Sequence, residues 1–227
     1  MSSTESGNNA ILLGASGLVG GFCLQALLAD PSFPRIILLN RRKLSLPPQP
    51  RLVQQVVDFE NLQSAAFANA NAVFCSLGTT MKKAGSKEAF RRVDLEYPLA
   101  AAQAARQAGV PKFLLVSSVG ADASAGNFYL HTKGEVEQEL QKLGFHSLHI
   151  FRPSILLGQR EEFRLTERIA VIAAPVLNLP LIGGLRRYRA ISAQTVGKAM
   201  VTASKKQDQG VFVHHYDEIQ GLAAAQP

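Results

Sequence analysis

A glycine-rich turn directly after a short apolar stretch most constrains how this chain can fold. Residues 10–13 read AILL, and the turn GASGLVG follows from Gly14 to Gly20. Gly14 would permit a sharp exit from a strand, Gly17 a close approach of the backbone to a pyrophosphate, and Gly20 tight packing of a helix on its strand. The helix N-terminus would add free N–H groups and a partial positive charge. The pattern predicts a dinucleotide site, with a tight turn that binds nothing as the alternative.

Apolar strands and helical segments alternate along the chain. Strands are predicted at Ala10–Leu13, Arg35–Leu39, Leu52–Val57, Ala72–Ser76, Lys112–Ser117, Ser147–Phe151 and Val211–His214. Helices are predicted at Leu18–Ala29, Asn61–Ala68, Glu88–Gln107 and Tyr129–Leu143, and a further one begins near Ser192. Strands this apolar are buried on both faces. We therefore expect an α/β, Rossmann-like, doubly wound and mostly parallel sheet with helices on both faces.

The chain length of 227 residues suits one domain. We expect a disordered tail at residues 1–8, which lacks the plan of a signal peptide, and a single domain at 9–227. Residues 155–190 are predicted to cover the substrate side. Within them, Ile169–Leu185 is an uncharged run with two prolines, and it is just too short to span a bilayer. It predicts a loop and helix over an apolar pocket and no membrane span.

The charge balance and the cysteines bear on partners and location. A net charge of +7 and a pI near 9.6 raise the possibility of nucleic acid binding. The basic residues, however, form scattered pairs without an aromatic motif, which favours a solvated surface and an anionic cofactor over a nucleic-acid groove.

Two cysteines, Cys23 and Cys75, indicate a reducing compartment, and we predict a cytoplasmic protein. No metal-ligand spacing is present, so no metal site is expected.

The end of the second predicted strand bears on which nicotinamide cofactor would bind. An acidic residue there typically binds the ribose hydroxyls of NAD, whereas this chain has Asn40, Arg41 and Arg42. A guanidinium can hold a 2′-phosphate with two parallel hydrogen bonds, so the pattern favours NADP. The alternative is that both arginines are solvated loop residues. Asp58, after the third strand, would either meet the adenine amino group or cap its own loop.

A second group of residues, a tyrosine, a lysine and a serine, predicts the reduction of a carbonyl. Tyr129 and Lys133 are four residues apart on a predicted helix, so their side chains share a face. The ammonium would favour ionisation of the phenol, and the tyrosine would donate a proton as hydride reaches a carbonyl carbon. A serine at the end of the fifth strand, Ser118 or Ser117, would hold the carbonyl oxygen. His131 lies on another face and is not expected to be catalytic.

These stretches together resemble a known family. The matching segments are LLGASGLVGG, LLNRRKL, VVDFENL, CSLGTTMKKAGSKEAFRRVDLEY, SSVGADASAGNFYLHTKGEVEQEL and FRPSILLG, which cover most of residues 10–160. The chain resembles the atypical, extended-like short-chain dehydrogenase/reductases, and within them the HIV Tat-interacting protein family of oxidoreductase-like proteins with its bacterial relatives. Residues 160–227 match only loosely.

The resemblance implies bound NADP(H) along the carboxyl ends of the strands. It places a set of residues around the pyrophosphate, namely Gly14, Ser16, Gly17, Leu18 and Val19. It places Arg41 and Arg42 at the 2′-phosphate, Asp58 and Phe59 near adenine, and Leu77, Gly78 and Thr79 over the ribose. Lys133 would bind the nicotinamide ribose, and the backbone after Arg152 and Pro153 would meet the carboxamide. The family's serine often stands where this chain has Val119, so its role is carried to Ser118, with Ser117 second.

Two hypotheses for function follow. The first is an NADPH-dependent oxidoreductase, a carbonyl reductase or an epimerase-like enzyme, acting on a small apolar carbonyl or sugar-nucleotide compound. The second is a non-catalytic NADPH-binding regulator that presents a cofactor-ordered surface to a protein partner, since fold alone does not imply catalysis. Either would be a monomer or homodimer.

Overall fold

A parallel sheet forms the centre of the computed structural model, which describes residues 8–158 and 181–225. The strands are β1 (Ala10–Leu13), β2 (Ile36–Asn40), β3 (Leu52–Val56), β4 (Ala72–Cys75), β5 (Lys112–Val116), β6 (Ser147–Phe151), β7 (Leu156–Leu157), β8 (Ile191–Ser192) and β9 (Gly210–His214). Within the described residues, seven strands pair in the order β3–β2–β1–β4–β5–β6–β9, and all six pairings are parallel. Strands β7 and β8 form a separate parallel pair.

Helices connect these strands. They are α1 (Leu18–Ala29), α2 (Met81–Ala84), α3 (Lys87–Arg91), α4 (Tyr97–Gln107), α5 (Phe128–Lys142), α6 (Ala193–Ser204) and α7 (Tyr216–Ala224). A π-helix at Arg92–Glu96 joins α3 to α4, and 3-10 helices lie at Ser64–Phe67 and Gly183–Tyr188.

Both faces of the sheet are covered by helices. On one face Leu12 of β1 belongs to a buried cluster with Leu27 of α1 and Met200 of α6. On the other face Leu13 belongs to a cluster with Ala101 of α4 and Val136 of α5. Successive residues of a strand point to opposite faces, so a strand covered on both sides is apolar throughout. The predicted doubly wound, Rossmann-like fold is confirmed.

Two predicted helices differ from the structure. The segment Asn61–Ala68 contains only the 3-10 helix Ser64–Phe67, because Asp58 holds a turn as far as Asn61 and Asn69 takes a left-handed φ of 60°. The predicted helix Glu88–Gln107 is interrupted by the π-helix. Pro98 has no N–H to donate to the carbonyl of Asp94, which weakens the α-helical pattern there.

Two boundary differences bear on the site. Strand β2 begins at Ile36 rather than Arg35 and extends to Asn40, so that Asn40 lies inside the sheet. The last strand begins at Gly210, one residue before the predicted Val211. The predicted tail at residues 1–8 and the predicted cover at 155–190 lie largely outside the described residues. What is described of the latter is β7 and the 3-10 helix before β8.

Candidate functional site

The glycine turn ends β1 and starts α1, and its geometry excludes side chains. Gly14 has a φ of 82°, in the left-handed region, and a Cβ there would lie 2.6 Å from the carbonyl oxygen of Ser76. A Cβ on Gly20 would lie 2.1 Å from the Gly14 oxygen. The N-cap of α1 is Gly17, which has no side chain to accept from the first-turn amides. These amides are therefore available to an anionic ligand.

Ser76 joins the turn to the neighbouring strand. Its hydroxyl donates to the carbonyl of Leu13 over 2.9 Å and lies 3.3 Å from that of Gly14. Its Oγ would lie only 2.6 Å from a Cβ on Gly20, so the serine occupies the space that the absent side chain leaves. The sequence reasoning missed this serine, since its partners are more than 60 residues away.

A cavity of about 440 Å³ opens beside the glycine turn. Many of the predicted cofactor-binding residues line it: Gly14, Ser16, Gly17, Arg41, Arg42, Phe59, Leu77 and Gly78. Asn40, which was not predicted to bind, lines it too, and its Nδ2 is buried with no hydrogen-bond partner among residues 8–158 and 181–225. A buried amide donor without an acceptor costs free energy, and a ligand oxygen in the cavity would satisfy it.

Several other predicted binding residues do not line this cavity. Val19 and Gly20 are buried under the turn, and the Leu18 side chain packs against Gly158. Asp58 is exposed and accepts hydrogen bonds from the Asn61 amide and the Glu60 N–H, which lower its pKa. This is the loop-capping alternative, and it leaves Asp58 outside the cavity lining.

Two stacked aromatic rings form one wall of the cavity. Phe59 and Tyr97 have ring centroids 5.2 Å apart and planes inclined by 28°. Burial raises the pKa of Tyr97. Phe59 was predicted and Tyr97 was not, although an aromatic residue at the start of the Ala-rich helix was a visible signal. The wall offers a flat apolar surface on which a planar ring could stack.

A buried ion pair lies beside Gly78, one of the residues that line the cavity. The Lys133 ammonium is 2.8 Å from a carboxylate oxygen of Asp94, and both side chains are almost fully buried. The other carboxylate oxygen accepts from the N–H of Thr79 over 2.8 Å. Burial alone would lower the pKa of Lys133, but the Asp94 charge outweighs it and the pKa is raised. A Cβ on Gly78 would lie 3.8 Å from the ammonium, so this lysine adjoins the cavity.

Tyr129 stands at the start of α5, one turn before Lys133. The Asn127 side chain caps the helix and accepts from the N–H groups of Tyr129 and Leu130. The Tyr129 ring contacts the buried ring of Phe90 edge-on, with centroids 6.0 Å apart. Tyr129 is close enough to Lys133 to influence its pKa. The side chains at 129 and 133 thus lie on one face of α5, as the spacing predicts.

The two serines at the end of β5 have different surroundings. The Ser117 hydroxyl is buried and donates to the Glu137 carboxylate. That carboxylate also receives Arg152, whose Nε lies 3.1 Å from both of its oxygens. The Ser118 hydroxyl is partly exposed and, in the part of the chain that the structure describes, makes a single 3.3 Å contact, with the carbonyl of Val119. Ser117 is therefore engaged in structure, whereas Ser118 is available to a ligand.

The groups around Arg152 hold the ends of three strands together. Its N–H donates to the carbonyl of His214 over 2.8 Å, and the N–H of Val119 donates to the carbonyl of Pro153 over 2.9 Å. The Arg152 side chain is held by Glu137, which stands one turn beyond Lys133 on α5. Glu137 was not predicted, although the spacing 129, 133 and 137 places all three along one side of the helix.

Comparison with known proteins identifies the family. A family model described as NAD(P)H-binding matches residues 14–168. The chain belongs to this NAD(P)H-binding family. HTATIP2 of Rattus norvegicus is 42% identical over 166 residues, which are 71% of this chain and 68% of that protein. The mitochondrial protein fmp52 of Emericella nidulans is 35% identical over 209 residues, 89% of each. The predicted resemblance to Tat-interacting proteins is confirmed.

Solved structures share the fold. A putative NAD-dependent epimerase/dehydratase from Bacillus halodurans superimposes with a TM-score of 0.68 at 20% identity, covering 97% of this chain and 100% of that one. MoeE5 in complex with UDP-glucose and NAD gives 0.67 at 18% identity, covering 95% and 81%. At these identities the likeness shows the fold.

The relatives also correct one expectation. The predicted cytoplasmic location is wrong on this comparison, because several fungal relatives, 32–35% identical over 89% of the chain, are named mitochondrial proteins. Cys23 and Cys75 are free and buried, but unpaired cysteines report on redox conditions and do not identify an organelle.

Among residues 8–158 and 181–225, no helix has both the length and the apolar character to cross a bilayer.

Proposed function

We propose that this protein is an NADPH-dependent oxidoreductase that reduces a small, apolar carbonyl compound, with Tyr129 as the proton donor. One observation carries the proposal. The cavity that begins at the glycine turn reaches Gly78, beside the Lys133 ammonium, and Lys133 shares a helix face with Tyr129. A dinucleotide bound along the cavity would therefore end next to the phenol.

The residues of the cavity fit a dinucleotide. The glycine turn lines the cavity at Gly14 and Gly17, so a pyrophosphate would lie at the first turn of α1, where Gly17 offers the amides no side-chain acceptor and the helix dipole favours an anion. The buried Asn40 amide still needs an acceptor. The Phe59–Tyr97 wall offers a stacking surface for an adenine ring. The glycine turn, the Asn40 amide and the aromatic wall would each contact a different part of one dinucleotide.

The preference for NADPH rests on the end of β2. Arg41 and Arg42 line the cavity directly after the position where an acidic residue typically binds the ribose of NAD. That position is occupied here by Asn40, which is uncharged and would not repel a 2′-phosphate. A hydrogen bond to a charged group contributes about 1.5–3 kcal/mol, so one such arginine would favour NADPH over NADH by about tenfold to a hundredfold.

The chemistry assigns one role to each polar group. Bound NADPH supplies the hydride that adds to the carbonyl carbon. Tyr129 gives its phenolic proton to the carbonyl oxygen, which becomes a hydroxyl, and the phenolate then regains a proton from water. Ser118 donates a hydrogen bond to that oxygen, while Ser117 stays bound to Glu137. Lys133 holds the ribose and stabilises the transient phenolate.

Cofactor binding is the first test. NADPH and NADH are titrated calorimetrically into the wild type, Arg41→Ala, Arg42→Ala and Lys43→Ala. Lys43 is the matched control, because it is an exposed cation of the same loop outside the cavity lining. We expect one arginine variant to lower the NADPH-to-NADH affinity ratio by about tenfold or more. An unchanged ratio in both variants would remove the arginines from phosphate binding.

Turnover is the second test. A panel of apolar aldehydes and ketones is screened for NADPH oxidation with the wild type, Tyr129→Phe and the control Tyr216→Phe. We expect Tyr129→Phe to lose at least about a hundredfold in rate while keeping its affinity for NADPH. Equal rates in both variants would refute the assigned acid. Tight NADPH binding without turnover on any carbonyl would instead favour the non-catalytic regulator.

A further inference from the structure

We infer that the outer edge of β9 is a homodimer interface, at which β9 of one copy of this chain pairs antiparallel with β9 of a second copy about a twofold axis. Strand β9 is the last strand of the seven-stranded sheet, and β4, β5 and β6 separate it from β1 and the glycine turn. None of the residues that line the groove beside β9 lines the cavity at the glycine turn. The inference is therefore independent of the proposed function.

The backbone of β9 directs hydrogen-bonding groups outward at alternate residues. The N–H of Gly210 and the carbonyl of His214 bond to residues that flank β6, over 2.9 Å and 2.8 Å. Strands β6 and β9 run parallel, and in a parallel pair alternate residues of a strand bond to the same neighbour. Val211 and Val213 therefore direct their N–H and C=O groups away from β6. In the part of the chain that the structure describes, no strand pairs with that edge.

The side chains at this edge are apolar and exposed. Val211 is 48% exposed and Val213 is 38% exposed. The strand reads Gly-Val-Phe-Val-His, so it contains neither the lysine nor the proline by which edge strands commonly avoid pairing with other chains. An apolar edge with free backbone groups and without these residues is a template for a further strand.

The outward groups determine the register of a twofold pair. In an antiparallel pair, residues directly opposite each other can exchange both of their hydrogen bonds. Val211 opposite Val213 of the second copy makes this exchange, and the axis repeats it at the other end. Phe212 then faces Phe212 of the second copy, at the axis, where side chains approach closely. Its ring already stacks on that of His149, with centroids 5.1 Å apart, so pairing would extend an existing aromatic contact.

The charges beside this edge are also self-complementary. A groove of about 550 Å³ lies between β9 and α7, and it is lined by Lys206 and Glu218. Lys206 lies where β9 begins, since its carbonyl accepts from the Lys112 ammonium at the start of β5. Glu218 lies where β9 ends, since its carboxylate accepts from the N–H of His215. Antiparallel pairing brings Lys206 of each copy towards Glu218 of the other, whereas parallel pairing would bring like charges together.

Sedimentation equilibrium tests the interface. The wild type, Val213→Lys, Val213→Pro and Val56→Lys are compared over a range of protein concentrations, and circular dichroism monitors folding. Val56 is the matched control, because it is an exposed valine of β3, the strand at the opposite edge of the sheet. Val213→Pro removes an N–H that points away from β6, at a position where an edge strand tolerates proline.

We expect the wild type and Val56→Lys to dimerise reversibly, and both Val213 variants to raise the dissociation constant by about tenfold or more. A wild type that stays monomeric at every concentration overturns the inference. A monomer whose Val211 and Val213 amides exchange slowly with solvent would mean that another part of the chain covers the edge, which also overturns it. An unchanged dissociation constant in either folded Val213 variant would place the interface elsewhere. Should one of these variants fail to fold, the other decides.

Charge reversal tests the antiparallel arrangement. Lys206→Glu and Glu218→Lys each bring like charges together twice across the axis, and each should weaken the dimer by about fivefold or more at low salt. The double variant restores opposite charges and should dimerise more tightly than either single variant. Lys82→Glu is the control, because Lys82 is an exposed lysine of α2, and its dissociation constant should match that of the wild type. A double variant no tighter than the single variants would refute the antiparallel pairing.

Discussion

The two halves of the candidate site are built in different ways. In the proposed nucleotide half, around β1 and β2, the decisive feature is absent side chains: Gly14, Gly17 and Gly20 let backbone segments approach closely. In the proposed catalytic half, around β4, β5 and β6, the decisive feature is buried charge. Asp94 pairs with Lys133 there, and Glu137 pairs with Arg152.

The two halves should therefore be sensitive to different kinds of substitution. A backbone cradle fails when any side chain is added, whatever its charge, because the obstacle is another backbone atom. A buried ion pair tolerates changes in size more readily than the loss of one charge, which leaves its partner desolvated and unpaired. Steric substitutions should therefore break the first half, and charge substitutions the second.

The largest effect is expected at Gly20. Gly20→Ala would place a Cβ 2.1 Å from the carbonyl oxygen of Gly14, and we expect it to cost about 4 kcal/mol or more of unfolding free energy. Gly21→Ala is the matched control in the same helix, because its Cβ would meet Ala15 at an ordinary 3.7 Å. That change should be neutral or stabilising by up to about 1 kcal/mol. Urea unfolding measures both, and similar values would contradict the steric account.

The next effect is expected at Glu137. Glu137→Gln leaves Arg152 without its carboxylate and should cost about 3 kcal/mol in the free energy of unfolding. The matched control is Glu139→Gln on the same helix, since Glu139 forms an exposed pair with Lys142 and should contribute less than about 0.5 kcal/mol. Chemical denaturation with both variants tests the difference. Equal losses would show that burial of the charge does not matter here.

A smaller effect is expected on acidification, and it falls at the β6–β9 edge. His149 and His214 are hydrogen-bonded at 3.0 Å, and burial lowers the pKa of His214 to about 4. Since the unfolded chain binds this proton near pH 6.5, folding stability should fall as pH drops from 6.5 towards 4. The loss amounts to about 2 kcal/mol at pH 5.

Hydrogen exchange would show which strands lose stability on acidification. Amides of β9 should lose protection at pH 5 before those of β1, which has no titratable group in its strand. His131→Gln is the control, because this histidine is partly exposed and lies on α5 rather than at the β6–β9 edge, so the protection of β9 amides should stay as in the wild type. A stability that stays flat between pH 7 and pH 5 would rule out the buried histidine pair as the cause.

The nucleotide half was largely predictable from the sequence, because its signals are local. A strand, a glycine turn and a helix follow one another within residues 10–29, so their order alone predicts the parallel sheet and the turn. The position of Arg41 and Arg42 beside the cavity was predictable in the same way, from their distance to the end of a strand. Asp58 was the exception, since a loop aspartate that caps its own turn looks the same in sequence as one that meets a ligand.

The catalytic half was less predictable, because its contacts join distant segments. Lys133 was predicted from its spacing to Tyr129, but nothing local links it to Asp94, 39 positions earlier in the numbering. The choice between Ser117 and Ser118 likewise depends on Glu137, which lies 20 residues away. A helical pattern indicates which residues share a face but does not indicate which element packs against it.

The π-helix at Arg92–Glu96 makes the length of its segment as important as its composition. The N–H of Tyr97 reaches back five residues to the carbonyl of Arg92, so this turn accommodates one more residue than an α-helical turn would. Deleting Arg92 or Val93 would restore regular winding and rotate the side chains that follow, including that of Asp94, by about 100°. Asp94 would then point away from Lys133 although both were still present, and we expect relatives that share this pair to tolerate substitutions in the segment more readily than insertions or deletions.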